Sequence, residues 1–270
     1  MIRSPHHWSN MRRPILAAAL LLTMPAFVVA QGADSKPATQ QDPQAAYDEL
    51  VKTFNKAISD WQTEAQAAVK KAQEAGEKIP AFAMTPPTKE FVGRAQELAG
   101  EYAGKDDAVR FLGFIVKNAS QERNAVRKAV ETLASDHAKS PAIASVLPFV
   151  QNALRFGAKK QVLGLLDDVA GNHPEADTKA KALIERGTVR LQMAQTDDER
   201  KLAEQDLRAV ADLTKDADLL AQAKDALFEI EHLQVGCTAP EIEGVDVEGA
   251  AFKLSDYRGK AVLLDFWGFW

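Results

Sequence analysis

The sequence predicts a mainly α-helical protein: a helical-hairpin array over residues 42–234, followed by a β-hairpin and one apolar strand within residues 235–270. Three observations support this fold class. The chain is 46% apolar but poor in turn formers, with 15 Gly and 12 Pro in 270 residues. Apolar residues recur every three or four positions over most of the chain, which is typical of amphipathic helices. After residue 234 the apolar residues alternate with polar ones, which is typical of strands.

Residues 1–30 have the composition of a secretory signal peptide. They contain Arg3, Arg12 and Arg13 but no acidic residue, and an apolar run leads to small residues at Ala30. A membrane anchor is the alternative, but the run of about 15 residues is shorter than the roughly 20 that span a bilayer. We therefore expect cleavage, no stable membrane anchor, and export to the periplasm or cell envelope of a bacterium. The polar residues 31–41 are predicted to form a flexible leader.

The charge and the cysteine count exclude several classes of function. The net charge is -5, and removal of residues 1–30 would make it more negative. An acidic protein has no electrostatic attraction to nucleic acid, so we expect no nucleic-acid partner. The single Cys237 cannot form a disulfide within the chain or supply a multi-cysteine metal site. Since no phosphate-binding loop or metal motif is present, we also expect no cofactor.

The first helix of the array is predicted to begin at Asp42-Pro43, because Asp is a good N-cap and Pro suits the first helical position. Gly76 and Pro80 end it. Its apolar seam is either the contact of a coiled-coil dimer or a surface that packs within the chain. The second half of the seam is all Ala, which buries little area and allows close approach, so packing within the chain is favoured. The seam residues are Tyr47, Val51, Phe54, Ile58, Trp61, Ala65, Ala68, Ala72 and Ala75.

The rest of the array shows signs of repetition. The junctions that end at His137 and His173 resemble each other, lie 36 residues apart, and are each followed by a new helix. A period in the mid-thirties is typical of stacked tetratricopeptide (TPR) repeats, so the array is predicted to have TPR-like spacing. A metal site formed by these two histidines is the alternative. Equivalent helix ends are the favoured interpretation, because no Cys or acidic residue stands at ligand spacing in both junctions.

Further polar residues of the array are interpreted as structural. Ser140-Pro141 is predicted to start a helix that Pro148 kinks, and Thr196 with Glu199 forms a capping box at the start of another. The paired acids Asp167-Asp168 and Asp197-Asp198 are interpreted as helix-surface and first-turn charges rather than as a hydrolytic pair.

The last 36 residues follow a different pattern. Gly236-x-x-Ala239-Pro240 is a turn, residues 241–246 and 252–254 alternate around a second turn at Glu248-Gly249, and residues 255–260 form a loop. Residues 261–267 are almost continuously apolar, as in a central strand that is covered on both faces. A strand of this kind needs neighbouring strands.

These motifs resemble the opening of the redoxin family, the antioxidant group that includes AhpC/TSA peroxiredoxins and the exported TlpA-like and ResA-like thioredoxins. The residues that carry the resemblance are the Gly-x-x-Ala-Pro turn, Phe252-x-Leu254-Ser255-Asp256-Tyr257-x-Gly259-Lys260, and the ending Asp265-Phe266-Trp267-Gly268-Phe269-Trp270. The ending is similar to the thioredoxin-like branch, in which Cys-x-x-Cys follows, and the Pro- and Thr-rich loop of peroxiredoxins is not seen. The resemblance implies a thiol-disulfide oxidoreductase with a protein dithiol or disulfide as its partner.

The resemblance also implies roles for individual residues. Asp265 matches the buried acid that assists proton transfer at the second cysteine, while Trp267 and Trp270 match residues that flank the active site. The alternative for Asp265 is a strand-end acid without a role. The two active-site cysteines and the cis-proline loop have no counterpart in these 270 residues. Cys237 matches a position without catalytic duty, so we expect a bystander thiol that can at most form an intermolecular disulfide.

Residues 235–270 are therefore expected to be the N-terminal fragment of an incomplete thioredoxin-like domain that stops before its catalytic motif. We expect this chain to be inactive as it stands, and residues 236–270 to fold poorly and expose apolar groups. A non-enzymatic helical-repeat module that binds a protein of the cell envelope is the alternative function. A break introduced by sequencing or gene prediction is a third possibility.

Overall fold

The structure is a computed structural model that describes residues 42–265, 267 and 268. The predicted signal peptide and leader lie outside these residues. The described chain is mainly α-helical with a small antiparallel β-hairpin, which confirms the predicted fold class. The α-helices are α1 Pro43–Ala75, α2 Thr88–Glu101, α3 Ala108–Asn118, α4 Arg123–His137, α5 Lys159–Asn172, α6 Ala176–Met193, α7 Asp197–Leu213 and α8 Ala217–His232, and the strands are β1 Glu243–Val245 and β2 Ala251–Lys253. Short 3-10 segments lie at Ala81–Met84, Pro141–Ser145, Leu147–Phe156 and Leu254–Tyr257.

Helix α1 begins and ends where its terminal residues predict. The Asp42 carboxylate accepts hydrogen bonds from the backbone N–H groups of Gln44 at 2.7 Å and Ala45 at 3.2 Å. Pro43 occupies the first turn, where its missing N–H group costs no hydrogen bond. At the other end Gly76 adopts the left-handed conformation with a φ of 67°, which closes the helix.

The apolar seam of α1 packs within the chain, as predicted. Tyr47 meets the ring of Phe111 edge-on with 5.8 Å between ring centroids, and Phe54 meets the ring of Phe114 at 5.2 Å. Farther along, the indole N–H group of Trp61 donates to the Phe82 carbonyl oxygen at 2.8 Å. This bond holds the 3-10 segment Ala81–Met84 back against the second half of α1.

Helix α3 lies at the centre of the larger hydrophobic core. From Ala108 to Val116 every residue except Arg110 is buried. Helices α2 and α4 and the 3-10 segment Leu147–Phe156 pack against it. From α2 onward, successive helices pack on one another as far as α8, and a second small core lies between α6, α7 and α8.

The region after Ser140 differs from the predicted kinked α-helix. The Ser140 hydroxyl accepts a hydrogen bond from the Ala142 N–H group at 3.2 Å, so a helical segment does start there. It is a 3-10 helix that ends at Ser145, and a second 3-10 helix starts at Leu147 with Pro148 in its first turn. Since Pro148 has no N–H group to give to a preceding turn, it starts a new segment instead of kinking a continuous helix.

The second of the two similar junctions is held by its histidine. The His173 ring accepts a hydrogen bond at Nδ1 from the Glu175 N–H group at 3.1 Å, so Nε2 carries the proton and donates to the Ser140 carbonyl oxygen at 3.2 Å. Because Ser140 follows the first junction, this bond joins the two turns. Assignment of the array to TPR repeats stays a prediction.

The predicted capping box of α7 is confirmed. The Thr196 hydroxyl accepts from the Glu199 N–H group at 3.3 Å, and the Glu199 carboxylate accepts from the Thr196 N–H group at 3.1 Å. The N–H group of Gln195, followed by that of Thr196, donates to the Glu199 carboxylate and holds the pKa of Glu199 below its ordinary value.

A charged cluster joins α5, α6 and α7. The Asp206 carboxylate is buried, and the Arg186 guanidinium donates two hydrogen bonds to it, at 3.0 and 2.6 Å. Arg190 donates a third at 2.7 Å, and Arg186 also donates to Asp167 at 2.8 Å. Burial by itself lowers the pKa of Arg186, but the hydrogen bonds and charges of Asp206 and Asp167 outweigh it, so the pKa is raised. Asp167 is thus a surface charge with a structural partner.

Replacement of Asp206 by Ala is expected to lower the free energy of unfolding by about 3–5 kcal/mol, because it leaves two partly buried guanidinium groups without their main partner. Urea unfolding followed by circular dichroism measures this change. Asp60→Ala is the control, since it removes only an exposed pair with Lys56 and should cost less than about 1 kcal/mol. Equal losses in the two variants would contradict a special role for Asp206.

Candidate functional site

The predicted hairpin is present in the C-terminal part of the described chain. Strands β1 and β2 pair antiparallel, with Gly244 opposite Phe252. A Cβ atom at Gly244 would lie 3.0 Å from the Phe252 ring, so a larger residue there would require the ring to shift by a few tenths of an ångström. At the turn, the Asp246 carboxylate accepts hydrogen bonds from the N–H groups of Glu248 and Ala250, both at 2.9 Å.

Glu241 ties the hairpin to the loop that follows it. Its carboxylate accepts hydrogen bonds from the N–H groups of Ser255 at 2.9 Å and Ile242 at 3.2 Å. The hydrogen bond with the Ser255 side chain, followed by the backbone bonds, holds the pKa of Glu241 below its ordinary value. Sequence reasoning missed this role, because Ser255 is 14 positions away and nothing in the local pattern links the two.

The apolar segment 261–265 has one partly covered face. Val262 and Leu264 line a cavity of about 270 Å³ together with Pro240, Leu254 and Tyr257. Leu263, between them, is 94% exposed. Side chains that alternate in this way are typical of a strand with one face against the protein. The segment thus keeps the side-chain pattern of a strand.

The predicted central strand 261–267 is nevertheless not formed in the described residues. The sheet holds only β1 and β2, so no neighbouring strand is present there to bond the backbone of residues 261–265. The expectation of a strand was wrong for this reason, while the expected exposure of apolar groups is confirmed for Val262, Leu263 and Leu264.

The predicted site residues do not form a redox centre within the described chain. Asp265 is exposed, as in the alternative interpretation of a strand-end acid and unlike the buried acid that the resemblance implies. Trp267 is 73% exposed, and Trp270 lies outside the described residues. Cys237 is an exposed free thiol in its turn. The roles of Asp265, Trp267 and Trp270 stay predictions.

The helical part carries a broad groove of about 1320 Å³ between α1, α2 and the turn at residues 120–122. Its aromatic lining residue Phe91 is half-buried and packs edge-on against Phe54 with 5.4 Å between centroids. Charges of both signs line it, among them Lys89, Glu90 and Arg94.

No described helix has the length and apolar character to cross a membrane. No described cluster of three His, Cys, Asp or Glu side chains is placed to hold a metal ion.

The amide protons of residues 262–264 are expected to exchange with solvent at nearly the rate of an unfolded chain, because no strand covers their backbone. The Leu254 amide, which donates to the Ile242 carbonyl oxygen at 2.9 Å, should exchange more slowly. Hydrogen exchange measured by NMR compares the exchange rate of the Leu254 amide with the rates of the amides at 262–264. Strong protection of the Leu263 amide in a monomeric sample would contradict the lack of strand pairing at residues 262–264.

The contact between Glu241 and Ser255 is expected to weaken in acid. Since the folded pKa of Glu241 lies below the ordinary glutamate value of 4.5, this contact contributes stability above that value and loses it as the pH falls through the folded pKa. The amide chemical shift of Ser255, followed by NMR during a pH titration, should show a midpoint below 4.5. Glu241→Gln is the control and should remove the transition, whereas a midpoint at or above the ordinary value would contradict the assignment.

Curated proteins that match the chain do so only locally. Thiol-disulfide oxidoreductase ResA of Geobacillus thermodenitrificans (strain NG80-2) is 56% identical over 36 residues, which is 13% of this chain and 21% of the relative. ResA of Bacillus thuringiensis subsp. konkukian (strain 97-27) is 42% identical over 40 residues, 15% of this chain and 23% of the relative. ResA of Bacillus anthracis is 45% identical over 40 residues.

The chain thus spans about a fifth of the length of the curated relatives that it matches. No protein family profile matches the chain, and no solved structure matches it. A short part of this chain is therefore similar to thiol-disulfide oxidoreductases of the ResA type.

Proposed function

We propose that residues 235–270 are the opening part of a thioredoxin-like domain and that the protein takes part in thiol-disulfide exchange. The local similarity to ResA carries this proposal. We attribute the similarity to residues 235–270, because the turn, hairpin and apolar segment that resemble redoxins lie there in the family's order. The hairpin and the strand-like alternation of residues 262–264 support the assignment.

The proposed chemistry needs two thiols. A thiolate attacks one sulfur of a partner's disulfide, a mixed disulfide forms, and the other sulfur leaves as a thiolate that takes up a proton. A second thiol on the enzyme then releases the partner in reduced form and leaves the enzyme oxidised. With Cys237 as its one cysteine, the chain can form a mixed disulfide but cannot resolve it by itself. The 270 residues alone are therefore proposed to be inactive.

In this proposal Asp265 acquires its role only when further structure covers it. A carboxyl that is buried beside the second cysteine has a raised pKa and can exchange a proton with that thiol near neutral pH. Trp267 and Trp270 would flank the same site. The partner is a protein dithiol or disulfide, and export by residues 1–30 would place the reaction in the periplasm or cell envelope.

A protein-binding role for the helical part is the second proposal. The broad groove between α1 and α2 favours it, since a groove of that size can accept a segment of another protein. The two proposals are compatible, because the helical part would then position a partner for exchange.

A fusion tests the first proposal. Residues 1–270 are joined to the part of G. thermodenitrificans ResA that follows the matched segment, and reduction of insulin disulfides in the presence of dithiothreitol is measured. We expect turnover by the fusion and none by residues 1–270 alone. Within the fusion, Asp265→Asn should lower the rate by about 100-fold if the acid transfers protons.

Two controls make the fusion decisive. Replacement of both cysteines of the Cys-x-x-Cys motif by Ser should abolish turnover, and Cys237→Ser should leave it unchanged. A fusion that is folded by circular dichroism but inactive would contradict the proposal. Turnover by residues 1–270 that survives Cys237→Ser would contradict the proposed inactivity of this chain.

A further inference from the structure

The two histidines at equivalent junctions have different surroundings. His173 uses both ring nitrogens in hydrogen bonds. His137 is only 3% exposed, yet its ring has no hydrogen-bond partner among the described residues. The His137 ring therefore has hydrogen-bonding capacity that the described residues do not use, and a partner from outside the chain can use it.

His137 also borders a cavity. Every fully enclosed side-chain nitrogen and oxygen atom of the described residues has a hydrogen-bond partner, so the unpaired ring nitrogens of His137 are not fully enclosed. A slot of about 210 Å³ between α2 and α4 is lined in part by His137. We call it the α2–α4 slot, defined by Ala99, Gly100, Leu112, Ala129 and His137.

The size and the small side chains of the α2–α4 slot favour a small, largely apolar occupant. Small residues of α2 and α4, such as Ala99, Gly100 and Ala129, line its sides, and Leu112 and Ile115 of α3 line it from below. Apolar cavities of about 150 Å³ hold a benzene ring, whereas sites for drug-sized molecules begin at about 300 Å³. The slot therefore fits one aromatic ring with few substituents.

The polar groups of the slot limit the ligand further. Lys128 and Asp136 line it with opposite charges, which together favour neither an anion nor a cation. His137 supplies one hydrogen-bonding ring. We propose that the α2–α4 slot binds a small uncharged aromatic molecule whose hydroxyl group hydrogen bonds to the His137 ring. This site belongs to the helical part, so it stands apart from the proposed thiol chemistry of residues 235–270.

Phenol is the probe for this site. Titration of the full chain with phenol, followed by NMR, should give saturable shifts of the His137 ring and the Ala129 amide, with a Kd on the order of 1 mM. Cyclohexanol has the same hydroxyl group on a puckered ring, and it should bind about tenfold more weakly. The absence of saturable shifts up to about 20 mM phenol would overturn the proposal.

A matched pair of glycine variants tests the location. Gly100 and Gly93 both lie in α2, and a Cβ atom at either position meets no other atom within 4 Å. Gly100 lines the slot and Gly93 does not. Leucine improves the helix propensity at both positions, so both variants should fold. Gly100→Leu should abolish phenol binding and Gly93→Leu should keep it, whereas equal binding by the two variants would overturn the location.

A pair of histidine variants tests the hydrogen bond. His137→Leu should lower the affinity for phenol about tenfold and leave the melting temperature unchanged or higher, because the ring hydrogen bonds to none of the residues that the structure describes. His173→Leu should lower the melting temperature, since it removes two hydrogen bonds to the backbone. Unchanged phenol affinity in His137→Leu would overturn the assigned role of this ring.

Discussion

The structure depends on the burial of α3 from Ala108 to Val116. Because this helix has almost no polar face, it can exist in water only when α1, α2, α4 and the 3-10 segment Leu147–Phe156 enclose it. Aromatic rings from neighbouring segments cover much of α3: Tyr102 stacks on Phe111 with 5.5 Å between ring centroids, and Phe54 packs edge-on against Phe114. Helices α2 and α4 both pack against α3, and both line the α2–α4 slot. The space between them is therefore set by the side chains that face it, and small residues leave it open.

Beyond α5 the chain relies on a different interaction. The cores around α6, α7 and α8 are smaller, and a buried carboxylate with two guanidinium groups lies between the helices. Such a cluster stabilises little when compared with an apolar core, but it tolerates few alternative arrangements, because every charge must keep its partner. It fixes which faces of α5, α6 and α7 meet.

The elements that could be predicted from sequence are those with local causes. Asp42 and Gly76 bound α1 through contacts with residues a few positions away, and the same is true of the box formed by Thr196 and Glu199. The alternation of apolar and polar residues on either side of the Glu248-Gly249 turn was sufficient to predict the hairpin. Asp206 was missed although it lies on the apolar stripe of α7 with Ala203, Leu207 and Val210, where an acid signals a buried pair.

Other features depend on residues distant in sequence. The bond between Glu241 and Ser255 and the unpaired ring of His137 follow from the fold, and no local pattern encodes them. The apolar segment 261–265 had the composition of a strand, but a strand exists only beside another strand. For the candidate redox site, sequence therefore indicated a family resemblance and three residues, while their assembly depends on structure that the described residues do not contain.

The packing of each helix on the next has a consequence for folding kinetics. Contacts between neighbours in sequence close short loops, and proteins dominated by such contacts fold in about microseconds to milliseconds. A ribosome adds about 5–20 residues per second, so each pair of helices has ample time to dock before the next emerges. Residues 261–265 differ, since no strand of the described chain pairs with their backbone. The helical part is therefore expected to fold early, and the exposed side chains of Val262, Leu263 and Leu264 are expected to promote association between copies of the chain.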